Sequence, residues 1–233
     1  MIRFDFLEKQ GLSVAAFSER CDGDCAWRPG PACSEGRKRC CLACGIEVGD
    51  LVCAEQVHGT RVARVGMQER GMGAIRRNTA LPGADALVTN VPGLPLAVFA
   101  ADCVPLFLFD PARRAAALVH AGREGTRQAI ASRTLEMLEE EFQSRPEDIY
   151  VVIGPGAGPD RYEVSVTLAE AWTRAGLPGK GRFLDLWQAN ADQLASAGVP
   201  RDQIQVSRIC TIEDRRFFSH RRDKDGRRNM ALM

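Results

Sequence analysis

Two of the three histidines in this 233-residue chain stand where a predicted strand meets a loop. His58 is followed by glycine, and His120 begins the run His-Ala-Gly. Cys103 lies in Ala-Asp-Cys-Val-Pro, where a polar pair interrupts an apolar strand, and burying such a pair costs free energy unless its polar groups are satisfied. A lone buried cysteine usually packs as a small apolar group, so each residue alone has a structural explanation. Together the three favour a shared functional site.

Short apolar segments bounded by Gly, Pro, Asn or Asp predict β-strands. These segments are Leu12–Phe17, Leu51–Cys53, Arg61–Val65, Ala86–Thr89, Leu96–Ala100, Leu106–Phe109, Ala115–His120, Tyr150–Ile153 and Gln205–Cys210. Apolar residues at helical spacing predict helices over Thr126–Phe142, Thr167–Ala175 and Leu186–Ala197. No linker divides the series, so the sequence predicts one α/β domain over residues 1–233.

Two glycine-rich segments are predicted to be loops. Gly66–Gly83 combines four glycines with scattered charge, which predicts a mobile surface loop and a candidate lid. Gly154–Pro159 follows a strand, where backbone N–H groups can bind a phosphate. Two of its residues are prolines, which donate no hydrogen bond, so an ordinary turn is the alternative.

The composition excludes several classes of protein. The formal charge of +1 at pH 7 exerts no overall attraction to nucleic acid or membrane. The longest apolar run, Leu94–Phe109, is interrupted by Asp102 and falls short of the ~20 residues that span a bilayer. The first residues include an acid and no apolar core, so we expect no signal peptide and a cytoplasmic protein. In that compartment the nine cysteines are expected to be thiols.

Several motifs, in order along the chain, resemble those of the YfiH-like family, whose members are named laccase-like polyphenol oxidoreductases and purine nucleoside phosphorylases. In the first half they are Glu-Gln-Val-His-Gly at 55–59, Ala-Asp-Ala-Leu-Val-Thr at 84–89, Ala-Asp-Cys-Val-Pro at 101–105 and His-Ala-Gly at 120–122. The second half adds Ile153–Pro155, Tyr162–Val164, Asp185–Leu186, Cys210–Thr211 and Phe218–Asp223. The resemblance covers nearly the whole chain from about Phe17 onward. It implies a single layered α/β domain with mixed β-sheets flanked by helices.

The zinc ligands of the family fall on His58, Cys103 and His120. Two neutral imidazoles and one thiolate suit zinc, and three protein ligands leave a fourth position for water or substrate. Zinc there would lower the pKa of bound water to about 7 and polarise a reacting group, which places Cys103 and His120 in the catalytic machinery. Copper is an alternative occupant. A four-copper laccase is excluded, because it needs many more imidazoles than three histidines supply.

One motif departs from the family pattern His-Ala-Gly-Trp-Arg-Gly. The chain has arginine at 123, in the tryptophan position, and glutamate at 124, in the arginine position. If the usual arginine steers a phosphate, Glu124 would repel it. Alternatively, Glu124 is a catalytic proton carrier beside a zinc-bound water, which favours hydrolytic deamination, or a solvated side chain at the start of a helix.

Cations elsewhere in the motifs are candidate contacts for the anionic part of a substrate. Arg123 is part of the departure, Arg161 lies beside the Gly/Pro loop, and both Arg221 and Arg222 lie in the C-terminal motif. Asp102 is a candidate catalytic residue that orients a ligand histidine through a hydrogen bond.

Six of the cysteines cluster near the N-terminus, at Cys21, Cys25, Cys33, Cys40, Cys41 and Cys44. Their spacing does not form a CxxC…CxxC pair, so it indicates a second metal site only weakly. The family resemblance implies a loop followed by a helix in this region. Cys41 and Cys44 would then occupy apolar helix positions and pack into a core.

Three functions follow from these observations and remain open. The leading one is a zinc-dependent purine nucleoside enzyme, which cleaves adenosine, inosine or methylthioadenosine with phosphate or deaminates adenosine. The second is a thiol amidase that edits peptidoglycan precursors, with Cys103 as nucleophile and His120 or His58 as its base. The third is a degenerate paralogue that binds metal or nucleoside without turnover. The expected partners are a nucleoside and phosphate, without nucleic acid or membrane, and the oligomeric state is open.

Overall fold

Two mixed β-sheets stack face to face in the computed structural model, which describes residues 1–27 and 34–233. The first half of the chain contributes β1 (Ile2–Arg3), β2 (Ala16–Phe17), β3 (Val52–Cys53), β4 (Arg61–Arg64), β5 (Ala84–Thr89) and β6 (Leu96–Ala100). The second half contributes β7 (Val104–Asp110), β8 (Ala115–Ala121), β9 (Tyr150–Ile153), β12 (Ile204–Val206) and β13 (Asn229–Leu232). A separate two-stranded antiparallel sheet is formed by β10 (Gly179–Lys180) and β11 (Phe183–Leu184).

The described residues form seven α-helices. They are α1 (Asp5–Glu8), α2 (Glu35–Ala43), α3 (Arg123–Arg127), α4 (Ile130–Phe142), α5 (Val166–Arg174), α6 (Leu186–Ser196) and α7 (His220–Asp223). Single 3₁₀ turns occur at Arg20–Asp22, Val48–Asp50, Met67–Glu69, Arg77–Thr79, Pro146–Asp148 and Arg201–Gln203. No helix in the described ranges has the length and apolar character needed to cross a membrane.

The strand order of the five-stranded sheet is β1-β2-β13-β6-β3, so β13 lies inside the sheet between two strands from the first half of the chain. It runs antiparallel to both β2 and β6, whereas β3 runs parallel to β6. The six-stranded sheet has the order β12-β9-β7-β8-β5-β4, with antiparallel pairing inside and a parallel pair at each edge. The mixed α/β class expected from the sequence is confirmed.

Alternation along the strands separates the apolar side chains into three cores. Along β6, Val98 faces the six-stranded sheet, whereas its neighbours Ala97 and Phe99 face α2. Along β7, Phe107 faces the five-stranded sheet and Leu108 faces the helices α4, α5 and α6. The layers therefore succeed one another as α2, five-stranded sheet, six-stranded sheet and the three later helices.

The core beneath α2 buries three of the clustered cysteines, Cys25, Cys40 and Cys41. Cys53 of β3 is buried beside them. The sulfur atoms of Cys25 and Cys40 lie 3.9 Å apart. The predicted core position is confirmed for Cys41, whereas Cys44 follows the last residue of α2 and is only half-buried. Cys33 lies outside the described residues.

The helix predicted over Thr126–Phe142 is in fact two helices, α3 and α4. Ala129, between them, has φ +60° in the left-handed region, and this conformation interrupts the helical hydrogen-bond ladder. The interruption allows α3 to approach the loop after β3. A Cβ at Gly125 would lie only 3.0 Å from the carbonyl oxygen of Gly59.

Two predicted strands are shorter than expected for local reasons. Leu12–Phe17 forms strand only at β2, because the N–H of Ala15 donates to the carboxylate of Glu8 instead of a strand neighbour. Gln205–Cys210 forms strand only at β12, because Arg208 has φ +52° and turns the chain.

The segment Gly66–Gly83, predicted to be a mobile surface loop, is partly a core segment. The N–H of Cys53 donates to Met72 O at 2.8 Å, and the N–H of Leu81 donates to Cys53 O at 3.0 Å. Ala74 is buried beneath α2. The interpretation as a surface loop is therefore wrong for these parts, while residues 76–79 are exposed.

Helix α2 packs closely against the backbone of residues 23–24. Alanine usually stabilises a helix relative to glycine by ~1 kcal/mol. At Gly36, however, the added Cβ would overlap the carbonyl oxygen of Asp24. We expect Gly36→Ala to lower the free energy of unfolding by about 1–3 kcal/mol, as at overpacked sites.

Urea unfolding followed by circular dichroism measures this effect. Gly49→Ala is the matched control, because a Cβ there meets nothing within 4 Å, and it should change the free energy of unfolding by less than ~0.5 kcal/mol. A Gly36→Ala variant as stable as the control would contradict the close packing of α2.

Candidate active site

The three residues singled out in the sequence meet at one edge of the six-stranded sheet, where β7 begins and β8 ends. His120 is the penultimate residue of β8, Cys103 directly precedes β7, and His58 lies in the loop between β3 and β4. Their ring nitrogen and sulfur atoms all lie within 4.8 Å of one another. The two imidazole rings have centroids 5.0 Å apart and planes inclined by 76°.

Gly122 makes room for this cluster. A Cβ at this position would lie 3.1 Å from Sγ of Cys103 and 3.2 Å from Cδ2 of His58. Both separations are shorter than comfortable van der Waals contacts, so a larger residue would push the two side chains apart. The glycine of the His-Ala-Gly motif is therefore explained by close packing.

Asp85, fully buried in β5, fixes the loop that carries His58. Its carboxylate accepts hydrogen bonds from three successive backbone N–H groups, those of Val57 at 3.1 Å, His58 at 3.0 Å and Gly59 at 2.7 Å. His58 itself has φ +61°, a conformation that non-glycine residues adopt only where the surroundings enforce it. The three hydrogen bonds to Asp85 stabilise this backbone conformation of His58.

The same carboxylate orients His120. Oδ1 of Asp85 lies 2.8 Å from Nδ1 of His120, which leaves Nε2 of the imidazole for the cluster. The two residues face each other across the β5–β8 pair, because the next pair along is Ala86 with Val119. The register of β4 against β5 shifts at this point, so Asp85 lies at a β-bulge.

Charges in the cluster shift pKa values in opposite directions. Burial alone would raise the pKa of the Cys103 thiol, but the positive charge of His120 and hydrogen bonds from both histidines lower it to about 6. Burial alone would lower the pKa of His120, but Cys103 and Asp85 raise it to about 9. The pKa of Asp85 is lowered, because its interaction with His120 outweighs its burial. Without a metal ion, the pair is therefore thiolate and imidazolium at neutral pH.

The donor set fits a metal ion. Tetrahedral zinc with bonds of ~2.0–2.3 Å separates its ligand atoms by ~3.3–3.8 Å, so the observed spread needs only a small closure. A carboxylate behind His120 is typical of metal-ligating histidines. His58 is exposed toward a cavity, which leaves a further coordination position accessible.

The cluster opens into a cavity of about 900 Å³, large enough for a small-molecule ligand. Basic side chains outnumber acidic ones in its lining: Arg77, Arg123, His220, Arg221 and Arg228 against Glu55, Asp102 and Glu124. On one side Trp27 and Phe99 form an edge-to-face pair with ring centroids 4.6 Å apart. The cavity thus combines a metal-binding corner, an aromatic wall and a cationic rim.

Tyr162 and Arg221 form a second wall of this cavity. The guanidinium carbon of Arg221 lies 5.3 Å from the centre of the Tyr162 ring, and Nη1 donates to the carbonyl oxygen of Glu163 at 2.6 Å. Burial and the negative charge of Cys103 raise the pKa of Tyr162, while Arg123 and Arg221 act in the opposite direction. The Tyr162 hydroxyl is therefore close enough to feel both the charge of Cys103 and the charges of the two arginines.

Of the four arginines predicted to contact an anion, Arg123 and Arg221 line the cavity. Arg161 lies outside the lining and donates to the carboxylate of Glu213 at 2.6 Å. Arg222 is also outside, and its guanidinium donates to backbone carbonyls, including that of Thr211 at 2.9 Å. We therefore do not expect Arg161 and Arg222 to contact a substrate, because both lie outside the cavity and bond to other parts of the protein.

Two predicted catalytic residues have partners other than those expected. The carboxylate of Glu124 accepts hydrogen bonds from Arg127 at 2.5 Å and Gln128 at 2.6 Å, which lower its pKa to about 2. A carboxylate with so low a pKa is a weak base toward a zinc-bound water, which argues against a proton carrier. Asp102 does not bond to a histidine: it accepts hydrogen bonds from Thr211 and Arg221, and Asp85 takes the expected orienting role.

The Gly154–Pro159 loop is a turn rather than a phosphate cradle. The N–H groups of Gly154, Gly156 and Ala157 donate to the carbonyl oxygens of Pro105, Ile209 and Asp102. That of Gly158 donates to Sγ of Cys210. These groups are therefore occupied within the protein, and the phosphate-binding interpretation is wrong.

Sequence reasoning missed the functional importance of Asp85 and Tyr162. Asp85 interrupts an apolar run in the same way as Asp102, so the signal was present but did not say which carboxylate meets His120. Tyr162 stands in a motif quoted for the family, without a distinguishing feature of its own. Only the fold shows that it reaches the cavity.

Comparison with known proteins gives consistent matches. Residues 23–233 match the family described as multi-copper polyphenol oxidoreductase laccase. The chain is 41% identical to "Purine nucleoside phosphorylase YlmD" of Geobacillus stearothermophilus over 74% of this chain and 67% of that protein. It is 36% identical to a purine nucleoside phosphorylase of Bacteroides thetaiotaomicron over 79% and 73% of the two chains. The crystal structure of the hypothetical protein YfiH of Bacillus licheniformis superposes with a TM-score of 0.83 at 33% identity, covering 94% of this chain and 91% of that one.

The pKa values of the cluster predict how metal affinity depends on pH. A metal ion needs Cys103 as thiolate and His120 neutral, so binding displaces protons. Between about pH 6 and pH 9 one proton leaves His120, and below about pH 6 a second leaves Cys103. We expect the zinc association constant to rise about tenfold per pH unit in the upper range and more steeply below it. Competition with a chromophoric chelator measures it, and a flat profile would contradict the assignment.

Asp85→Asn tests the carboxylate behind the cluster. It removes the negative charge that faces His120 and sets an amide group against backbone N–H donors. We expect zinc affinity to fall about 10–100-fold. Asp110→Asn is the control, since Asp110 is an equally buried carboxylate at the far end of β7. Equal zinc affinity in the two variants would disprove the role of Asp85.

Proposed function

The chain belongs to the multi-copper polyphenol oxidoreductase laccase family, and from that membership we propose that it is a zinc-dependent purine nucleoside phosphorylase. The family expected from the ordered motifs is thereby confirmed. The proposal follows the names of the relatives rather than the laccase name, because three histidines cannot ligate the copper centres of a multicopper oxidase. A single copper ion is the alternative occupant of the cluster.

One observation carries the proposal: a cluster able to hold zinc and two arginines able to hold phosphate face the same cavity. Within the described residues, no hydrogen bond or ion pair engages the guanidinium of Arg123. Arg221 is held by Glu163 and Tyr162 through only part of its donor set. Both arginines therefore have N–H groups free for an anion.

Each part of the cavity has a task in this reaction. A phosphate oxygen forms a bond to C1′ of the sugar while the bond from C1′ to the purine breaks, so the anion must lie close to the sugar. Arg123 and Arg221 would hold the phosphate, and the half-buried Trp27 offers an aromatic surface for the purine. Zinc bound by the cluster would act as a Lewis acid toward the reacting groups.

Phosphorolysis is favoured over hydrolytic deamination by the state of Glu124. Its carboxylate is engaged by Arg127 and Gln128, and its pKa of about 2 makes it a weak base toward a zinc-bound water. The same pairing reduces the repulsion that an isolated glutamate would exert on phosphate. The departure from the family pattern is thus compatible with an anion in the cavity.

A second candidate, the thiol amidase, is favoured by one specific observation. Cys103, His120 and Asp85 form a thiolate, an imidazolium and an orienting carboxylate, which is the arrangement that nucleophilic cysteine enzymes use. Zinc separates the two candidates, because it would block a cysteine nucleophile and activate a phosphorylase. A peptidoglycan precursor cleaved faster by the metal-free protein would favour the amidase.

The decisive assay incubates zinc-loaded and metal-free protein with inosine and adenosine, with and without phosphate. We expect a free base and ribose 1-phosphate only when zinc and phosphate are both present. Inosine formed from adenosine would instead indicate deamination. Stoichiometric zinc and nucleoside binding without any product would identify a binding protein and refute the proposal.

Arg123→Ala tests the anion contact within the same assay. We expect the KM for phosphate to rise about tenfold or more, with a smaller change in the KM for nucleoside. Arg161→Ala is the matched control, because that arginine lies outside the cavity. An equal effect of the two substitutions would remove Arg123 from the anion site.

A further inference from the structure

We propose that Asp102 is a positioning residue that fixes α7, and with it Arg221, against the turn that carries Cys103. It would thereby set the distance between the metal-binding corner and the anion contact. This inference rests on the proposed function where it assigns phosphate to Arg221. The attachment of α7 to the Cys103 turn is a separate structural statement.

The carboxylate of Asp102 joins two distant parts of the chain. Oδ1 accepts a hydrogen bond from the hydroxyl of Thr211 at 2.8 Å, and Oδ2 accepts one from the backbone N–H of Arg221 at 2.7 Å. Asp102 and Thr211 are both buried. Hydrogen bonds to a carboxylate shielded from water are stronger than those at the surface.

The backbone of Asp102 is itself held in an unusual conformation. Its φ is +86°, which non-glycine residues rarely adopt. Its carbonyl oxygen accepts a hydrogen bond from the N–H of Ala157 at 2.8 Å. Such a conformation persists where the surroundings fix it, and at functional sites it places a neighbouring group with precision. The neighbouring group here is Cys103.

The rest of α7 is attached elsewhere, which gives Asp102 a distinct role. The helix has four residues, and its side chains Arg222 and Asp223 bond to the segments around Thr211 and Arg20. Those bonds lie on residues outside the cavity lining, whereas Arg221 is in it. Asp102, the residue beside Cys103, bonds directly to the backbone N–H of Arg221. Its loss should therefore free the backbone N–H of Arg221 and loosen this part of α7, while Arg222 and Asp223 keep their own bonds.

The two hydrogen bonds allow a positioning role of Asp102 to be distinguished from a role that needs its negative charge. An asparagine can accept from the N–H of Arg221 through its oxygen and donate to the Thr211 hydroxyl, which can also act as an acceptor. Asp102→Asn should therefore preserve the attachment while removing the charge. Asp102→Gly removes both bonds but suits a positive φ, so this variant is expected to fold.

The experiment compares phosphate KM, kcat and zinc content for the two variants. For Asp102→Gly we expect the KM for phosphate to rise about tenfold, with zinc content unchanged. For Asp102→Asn we expect it to stay within about threefold of the unsubstituted protein. Asp110→Asn, a buried carboxylate at the far end of β7, is the control and should leave the KM unchanged. An Asn variant as impaired as the Gly variant would overturn the proposal.

Hydrogen exchange by mass spectrometry tests the attachment independently of any activity. In Asp102→Gly, peptides covering residues 217–224 should exchange faster, and those of the control should not. Faster exchange in a protein without phosphorolytic activity would support the attachment and refute only the proposed function. Unchanged exchange would overturn the attachment, whatever the activity.

Discussion

The candidate site depends on a single buried carboxylate, that of Asp85. Its two oxygens accept hydrogen bonds from three backbone N–H groups of the loop that carries His58, and Oδ1 also meets Nδ1 of His120 across the sheet. A carboxylate buried without such partners would be strongly destabilising, so the interactions that make Asp85 tolerable are the same ones that build the cluster. Stability and site geometry therefore cannot be separated at this residue.

The fold class and most strands were predictable, because apolar alternation and flanking turn residues are local signals. The failures came from interactions that a local pattern does not contain. The single helix predicted over Thr126–Phe142 is divided at Ala129, where the chain accommodates the backbone near Gly59. The segment Gly66–Gly83 looked like a loop by composition, yet its backbone bonds to Cys53 in the core.

The metal-binding residues could be predicted because histidine is scarce in the chain and all three residues lie in family motifs. The carboxylates that hold them in place could not. Asp85 and Asp102 carry the same sequence signal, a polar residue in an apolar run, and their roles differ because only Asp85 lies opposite His120 in the sheet. The state of Glu124 was accessible in principle, since Arg127 lies one helical turn ahead of it. The attachment between Asp102 and Arg221 joins residues 119 positions apart, which no local pattern encodes.

The position of β13 has a consequence for how the protein is made. Its strand, Asn229–Leu232, lies between β2 and β6 in the five-stranded sheet. Until β13 has been synthesised, β2 and β6 each have an unpaired backbone edge. The apolar faces around Phe17 and Val98 are then incompletely covered. Unpaired strand edges of this kind invite pairing with other chains. The nascent chain is therefore exposed to pairing with other chains until β13 has emerged from the ribosome, and a chaperone would be of most use over that interval.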